Sequence, residues 1–114
     1  MKILLVMQQQ YGSATLTVAY SESAYWPAGH FMYLYDQNTG EQLIEIGRRP
    51  KQVEVTLGQK LYIKATRSSI GIPDPVDGAF TIESSTGVTF TSRRGSYLEF
   101  YITGVNASFT FIYY

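Results

Sequence analysis

Apolar residues recur at every second position through most of the chain. The clearest runs are at 15–20, 52–57, 61–66 and 97–102, where each apolar residue is followed by a polar, small or aromatic one. A period of two is expected of a strand with one buried and one outward face. We therefore predict short strands at about 2–8, 13–20, 31–36, 41–46, 51–57, 60–66, 79–84, 87–92, 97–103 and 107–113.

Glycine and proline mark the connections between these strands. The ten glycines of the chain leave no stretch that suits a helix of average length, because glycine weakens helix interiors and favours turns. The segment 36–41 predicts a hairpin whose Gly40 takes a left-handed conformation. Tight antiparallel connections are predicted at 57–60, 84–87 and 93–96. The two longer pieces, 21–30 and 67–78, contain prolines and are predicted to lie outside the sheets.

About ten short strands without a helical pattern predict an all-β fold in a single domain, residues 1–114. The favoured architecture is an antiparallel β-sandwich, with a small β-barrel or jelly roll as the alternative. The segments 53–63, 87–90 and 97–104 resemble the alternating strands and glycine turns of bacterial and phage immunoglobulin-like modules. That resemblance implies a non-catalytic component of a phage particle (decoration, tail or fibre) or a domain of a bacterial surface adhesin.

The composition argues against several classes of function. Nine basic and nine acidic residues give zero net charge, and the chain has one histidine and no cysteine. A disulfide framework and a thiolate metal site are excluded, and we predict no cofactor, no metal and no enzymatic activity. Balanced charge and the absence of a known motif also disfavour nucleic-acid binding.

The N-terminal run is too short for a secretory signal. Five apolar residues, Ile3 to Met7, follow Lys2 and are ended by three glutamines, whereas an h-region needs at least 7. The sequence therefore predicts a first strand here, in a protein made in the cytoplasm and assembled into a particle. No stretch approaches the length of a membrane-spanning helix.

Aromatic residues are the most unusual feature of the chain. Ten tyrosines, six phenylalanines and one tryptophan make up 15% of its residues. In 31–35, aromatic side chains alternate with Met32 and Leu34, so neither face of that strand is polar. Because tyrosine and tryptophan dominate interface hot spots, we predict a binding surface. Its members are Tyr25, Trp26, Tyr33, Tyr35, Tyr97 and Tyr101. The alternative is that these rings only cover the sheets.

Basic residues gather at two predicted turns. If both turns lie at one end of the sandwich, they form a patch for phosphate, sulfate or carboxylate groups. The predicted patch contains Arg48, Arg49, Lys51, Arg93 and Arg94.

These observations favour an interaction or assembly module that binds a protein partner, with a homo-oligomer or larger assembly expected. One alternative is a carbohydrate-binding module that stacks sugars on Tyr25, Trp26, Tyr33 and Tyr35. Another is a small intracellular inhibitor that acts through its arginines. A glycan remains an alternative partner.

Overall fold

The structure, a computed structural model, describes residues 12–67, 79–93 and 97–113. Within them lie nine strands, which confirm the nine predicted downstream of residue 12 to within a few residues. The strand predicted at 2–8 lies outside the described residues. The strands are β1 (Ser13–Tyr20), β2 (His30–Asp36), β3 (Gln42–Ile46), β4 (Lys51–Thr56), β5 (Lys60–Arg67), β6 (Phe80–Thr86), β7 (Val88–Ser92), β8 (Tyr97–Ile102) and β9 (Asn106–Tyr113).

The strands form two sheets packed face to face, which confirms the β-sandwich. The first sheet has the order β4-β1-β9-β6 and the second has the order β3-β2-β5-β8-β7. All pairs of neighbours are antiparallel except β1 and β9, which run parallel from Thr15/Asn106 to Tyr20/Phe111. The alternation of residues does not predict this exception, because parity sets which face is buried and not which strands pair.

The inward side chains of both sheets form a continuous apolar core. In β1 the burial alternates along the whole strand, and β9 repeats the same pattern. Packing of this kind, with side chains of two inner faces interdigitating, is what holds a sandwich together. The fully buried larger members are Leu16, Val18, Tyr20, Met32, Leu34, Leu61, Ile63, Leu98, Phe100, Ile102 and Phe111.

Two of the predicted connections are confirmed as joining paired strands. In the β2–β3 hairpin, Gly40 has a φ of 75° and its amide donates to the Asp36 carbonyl over 2.8 Å. The strands on either side of 93–96, β7 and β8, also pair antiparallel.

The predictions at 57–60 and 84–87 are wrong, because both connections cross between sheets. β4 belongs to the first sheet and β5 to the second, and Gly58 at the crossing donates its amide to the Ile102 carbonyl over 2.7 Å. Residues 84–86 remain in β6, and Gly87 alone leads to β7 in the other sheet. A short connection between strands is equally compatible with a hairpin and with an arch over the core, and the choice depends on which face each strand buries.

Candidate functional site

The outward side of the second sheet carries six aromatic side chains, which we call the aromatic face. Because Met32, Leu34, Ile63 and Phe100 point into the core, their neighbours in sequence point outward. Phe31 and Tyr97 are each 44% exposed, and the other members are half-buried. The members are Phe31, Tyr33, Tyr35, Tyr62, Tyr97 and Tyr101.

Rings of the aromatic face contact one another across three strands. The ring centroids of Phe31 and Tyr33 are 6.5 Å apart, and those of Tyr33 and Tyr35 are 6.4 Å apart. Tyr35 stacks on Tyr62 at 4.9 Å with an interplanar angle of 16°, and Tyr62 lies 5.6 Å from Tyr97. These spacings are within the range of favourable ring pairs. These contacts join Phe31, Tyr33, Tyr35, Tyr62 and Tyr97 into one contiguous surface.

Charged side chains of both signs lie among these rings. In the sheet register, Tyr33 stands between Glu45 and Lys64, and Glu99 stands beside Tyr62. The Lys64 ammonium lies 5.8 Å from the centroid of the Tyr97 ring, a cation–π distance. Lys60 lies opposite Tyr101 in the register. Among the described outward residues of β2, β5 and β8, together with Glu45 of β3, there are therefore two lysines and two glutamates.

Tyr33, Tyr35, Tyr97 and Tyr101 thus lie on one surface, and binding by that surface stays a prediction. Tyr62, which stacks at the centre of the face, is not among the residues predicted for the binding surface. The signal for Tyr62 was present, because it alternates with Leu61 and Ile63 in β5 and so had to point outward.

Tyr25 and Trp26 do not join the aromatic face. Both lie in the connection from β1 to β2, where Trp26 is half-buried against the core. The Trp26 indole donates to the His30 carbonyl over 3.0 Å, and its ring meets Tyr20 edge-on at 5.0 Å. Tyr25 is 97% exposed, while its carbonyl accepts from the Tyr20 hydroxyl over 3.2 Å. Trp26 therefore closes one end of the core instead of offering its ring to a ligand.

Tyr20 organises this end of the sandwich. Its hydroxyl accepts from the Tyr113 amide over 3.1 Å, and its single proton is shared between the Tyr113 carbonyl at 3.1 Å and the Tyr25 carbonyl at 3.2 Å. Its ring also packs edge-on against Phe111 at 5.2 Å. Burial raises the pKa of Tyr20 above its usual value, partly offset by the bond to the Tyr113 backbone and by the charge of Arg48. The neutral hydroxyl therefore links the β1–β2 connection to the end of β9.

The predicted basic patch is not a single cluster in the described residues. Arg48, Arg49 and Lys51 are exposed next to the β3 and β4 edges, whereas Arg93 follows β7 at the opposite edge of the second sheet. Four strand spacings separate those edges, a width of about 19 Å. Arg48 is already engaged, because it donates to the Ala24 carbonyl and lies over the Tyr20 ring at 5.9 Å. Arg94 lies outside the described residues.

His30 begins β2 and is largely buried. Its Nδ1 lies 3.0 Å from the Ala28 carbonyl, and since a carbonyl only accepts, Nδ1 carries the proton. Nearby, Ser21 and Ser23 share a hydroxyl hydrogen bond of 2.8 Å, and Ser23 donates to Glu83 of β6 over 3.3 Å. These contacts tie the β1–β2 connection to the first sheet.

In the described ranges, no group of three or more His, Cys, Asp or Glu side chains is arranged to hold a metal ion. The same ranges contain no helix that is long and apolar enough to cross a bilayer.

Comparison with solved structures supports the fold. The chain is similar to a bacterial adhesin from Mobiluncus mulieris that contains intramolecular disulfide, isopeptide and ester bond cross-links, solved in two space groups. The TM-scores are 0.55 and 0.52 at 19% and 22% identity, over 91% of this chain. The match covers 41% of the adhesin chain, so this chain spans about two-fifths of its length. No protein-family model and no curated protein matches the sequence.

In the part of the chain that the structure describes, the likeness is one of architecture. This chain has no cysteine, so it forms no disulfide of its own. An isopeptide bond needs a lysine amine next to a carboxyl or amide side chain, yet the buried polar residues in the described part of the chain are Ser21 and His30 alone. The described core is therefore stabilised by apolar packing.

Proposed function

We propose that this protein is a non-catalytic binding module of the bacterial adhesin type, and that its aromatic face binds a protein partner. The sandwich architecture shared with the Mobiluncus mulieris adhesin supports the general class. The choice of surface comes from the chain's own residues.

One observation supports the proposal most strongly: the two outer faces of the sandwich differ in chemistry. None of the outward positions of β1 and β9 in the first sheet carries an aromatic ring; they are Ser13, Thr15, Thr17, Ala19, Asn106, Ser108, Thr110 and Ile112. If tyrosines only covered exposed sheet surface, both sheets would need them. Their concentration on the second sheet favours a binding surface, because contiguous exposed apolar patches mark interaction sites.

Tyrosine suits such a surface for a physical reason. Each ring offers a large, rigid contact area with little side-chain entropy to lose, and its hydroxyl can satisfy polar groups of a partner. Mutual stacking of Tyr35 and Tyr62 further restricts the rings before a partner arrives. Preorganisation of this kind raises affinity by lowering the ordering cost.

The proposal is tested with a double variant at the centre of the face. Tyr35→Ala with Tyr62→Ala is compared with a control on the opposite face, Thr17→Ala with Thr110→Ala. Immobilised fibrinogen, fibronectin and collagen, together with a glycan array, serve as probes. We expect saturable binding to at least one of these proteins, weakened at least ~10-fold by the face variant and unchanged by the control.

Three outcomes would contradict the proposal: binding that survives the face variant, binding to glycans alone, or no binding of the unmodified protein to any of the three proteins. Binding to glycans alone would favour the carbohydrate-binding alternative, although the engagement of Trp26 in the core end already disfavours its use as a stacking platform. A role in a phage particle, and action as an enzyme inhibitor through the arginines, stay predictions of the sequence.

A further inference from the structure

We propose that the aromatic face also binds a second copy of this chain, with the two second sheets face to face and their strands antiparallel. The inference rests on the face assigned under the proposed function and names one partner for it. It follows from the register of the outward residues and their charges.

The register arranges the face in rows across the strands. One row reads Glu45, Tyr33, Lys64 and Tyr97 from β3 to β8, and the next reads Gln42, Tyr35, Tyr62 and Glu99. Each row thus holds one acid, on β3 in the first row and on β8 in the second, and both rows carry a tyrosine on β2. The two lysines and two glutamates cancel, so the face has no net charge to repel a copy of itself.

A twofold axis that runs between these rows, perpendicular to the strands, gives favourable pairs. It places Tyr33 over Tyr35 of the second copy, and Lys64 over the ring of Tyr62. It also brings the Tyr97 hydroxyl to the Glu99 carboxylate of the second copy. Ring–ring, cation–π and hydroxyl–carboxylate contacts result, and no like charges meet. Lys64 would lie one strand away from Glu99 of the other copy.

The size of the face sets the expected strength. Five strands, each about 4.8 Å wide, and four rows, each about 6.8 Å deep, give a flat area of roughly 24 by 27 Å, or ~650 Å² per copy. A pair would bury about 1,300 Å², at the low end of specific interfaces, where ~1,600 Å² is standard. We therefore expect a reversible dimer with a dissociation constant on the order of 100 µM.

Sedimentation velocity of the full chain tests this, from ~10 µM to ~1 mM. The expected result is a concentration-dependent shift from monomer to dimer. A monomer throughout this range would overturn the inference, and so would a dimer that the face variants described next do not weaken.

Charge reversal gives the decisive comparison. Lys64→Glu makes the face acidic and Glu99→Lys makes it basic, so each variant alone should be monomeric. An equimolar mixture of the two should form a heterodimer tighter than either variant's homodimer, because the two new charges have opposite signs and lie one strand apart across the interface. It should not be tighter than the wild-type dimer, because each substitution removes one contact to a tyrosine of the other copy. Lys51→Glu and Glu54→Lys reverse charges in β4 of the first sheet and should dimerise as the wild type does. Circular dichroism verifies that every variant is folded.

The outcomes separate this inference from the proposed function. A wild-type monomer at 1 mM whose binding to a matrix protein is lost in the Tyr35→Ala, Tyr62→Ala variant refutes self-association and leaves the function standing. The converse result is that the two charge variants associate with each other while the unmodified protein binds none of fibrinogen, fibronectin and collagen. That result supports a second copy as the occupant of the aromatic face and refutes binding of these three proteins. If the mixed charge variants stay monomeric, self-association through this face is wrong.

Discussion

Replacing Tyr20 by phenylalanine removes one oxygen from the most connected side chain at the end of the core. The ring keeps its edge-on contacts with Trp26 and Phe111, so apolar packing is preserved. What is lost is the hydroxyl that bonds the amide and carbonyl of Tyr113 and the carbonyl of Tyr25. The substitution therefore isolates hydrogen bonding from packing.

The magnitude follows from the burial of these groups. A buried hydrogen bond contributes about 1 kcal/mol, and leaving a buried backbone group without this partner costs ~1–3 kcal/mol. The Tyr25 carbonyl belongs to an exposed residue and can accept from water instead. We expect the free energy of unfolding to fall by about 2 kcal/mol, which lowers Tm by roughly 8 °C in a domain of this size.

Urea unfolding followed by fluorescence measures this change. Trp26 is the chain's single tryptophan and lies 5.0 Å from the Tyr20 ring, so it reports on this end of the core. Tyr33→Phe removes a hydroxyl from the outer surface and serves as the control, with an expected change within about 0.5 kcal/mol. Equal effects of the two substitutions would refute the assignment of Tyr20 as a hydrogen-bonding centre.

Three further outcomes are expected. The pKa of Tyr20 in the folded state is raised above 10.0, so the native state keeps a proton that the unfolded chain releases, and the stability of the wild type falls as the pH rises past 10.0. The difference in unfolding free energy between wild type and Tyr20→Phe should therefore narrow above this pH. A constant difference in alkaline urea melts would contradict this. The pKa of Asp36 is lowered, first because the Gln59 side chain donates to its carboxylate and then because the Thr39 amide does. Asp36→Ala should lower the free energy of unfolding by about 1 kcal/mol at neutral pH. This loss should shrink as the pH falls below 3.8, which thermal melts across acidic pH would measure. Gly87→Ala should lower the free energy of unfolding by ~2–3 kcal/mol, because φ is 67° and a Cβ would stand 3.2 Å from the Gly104 Cα. Gly40→Ala, with a φ of 75° and open space around it, should lower it by only about 1 kcal/mol. Equal losses in chemical denaturation would exclude the steric contribution at Gly87.

The amino-acid sequence by itself determined the strands and their buried faces. Alternation such as that of Leu16, Val18 and Tyr20 predicts which side chains are buried, because successive residues of a strand point to opposite faces. The same parity identified Tyr33, Tyr35, Tyr97 and Tyr101 as outward residues. These are local properties, decided within a few residues of the chain.

Tertiary structure decided which strands pair and which side chains meet. The parallel contact of β1 with β9 and the crossings at Gly58 and Gly87 join segments that lie far apart in sequence or in different sheets. Trp26 does not lie on the predicted surface, because its ring packs against Tyr20, six residues earlier, and its indole donates to the carbonyl of His30, four residues later. Both contacts depend on the path of the β1–β2 connection, which has no strand periodicity. Tyr62 lies between Tyr35 and Glu99 on the aromatic face because β5 pairs with both β2 and β8. Periodicity carries no information about such neighbours, since pairing is selected by the packing free energy of the whole core.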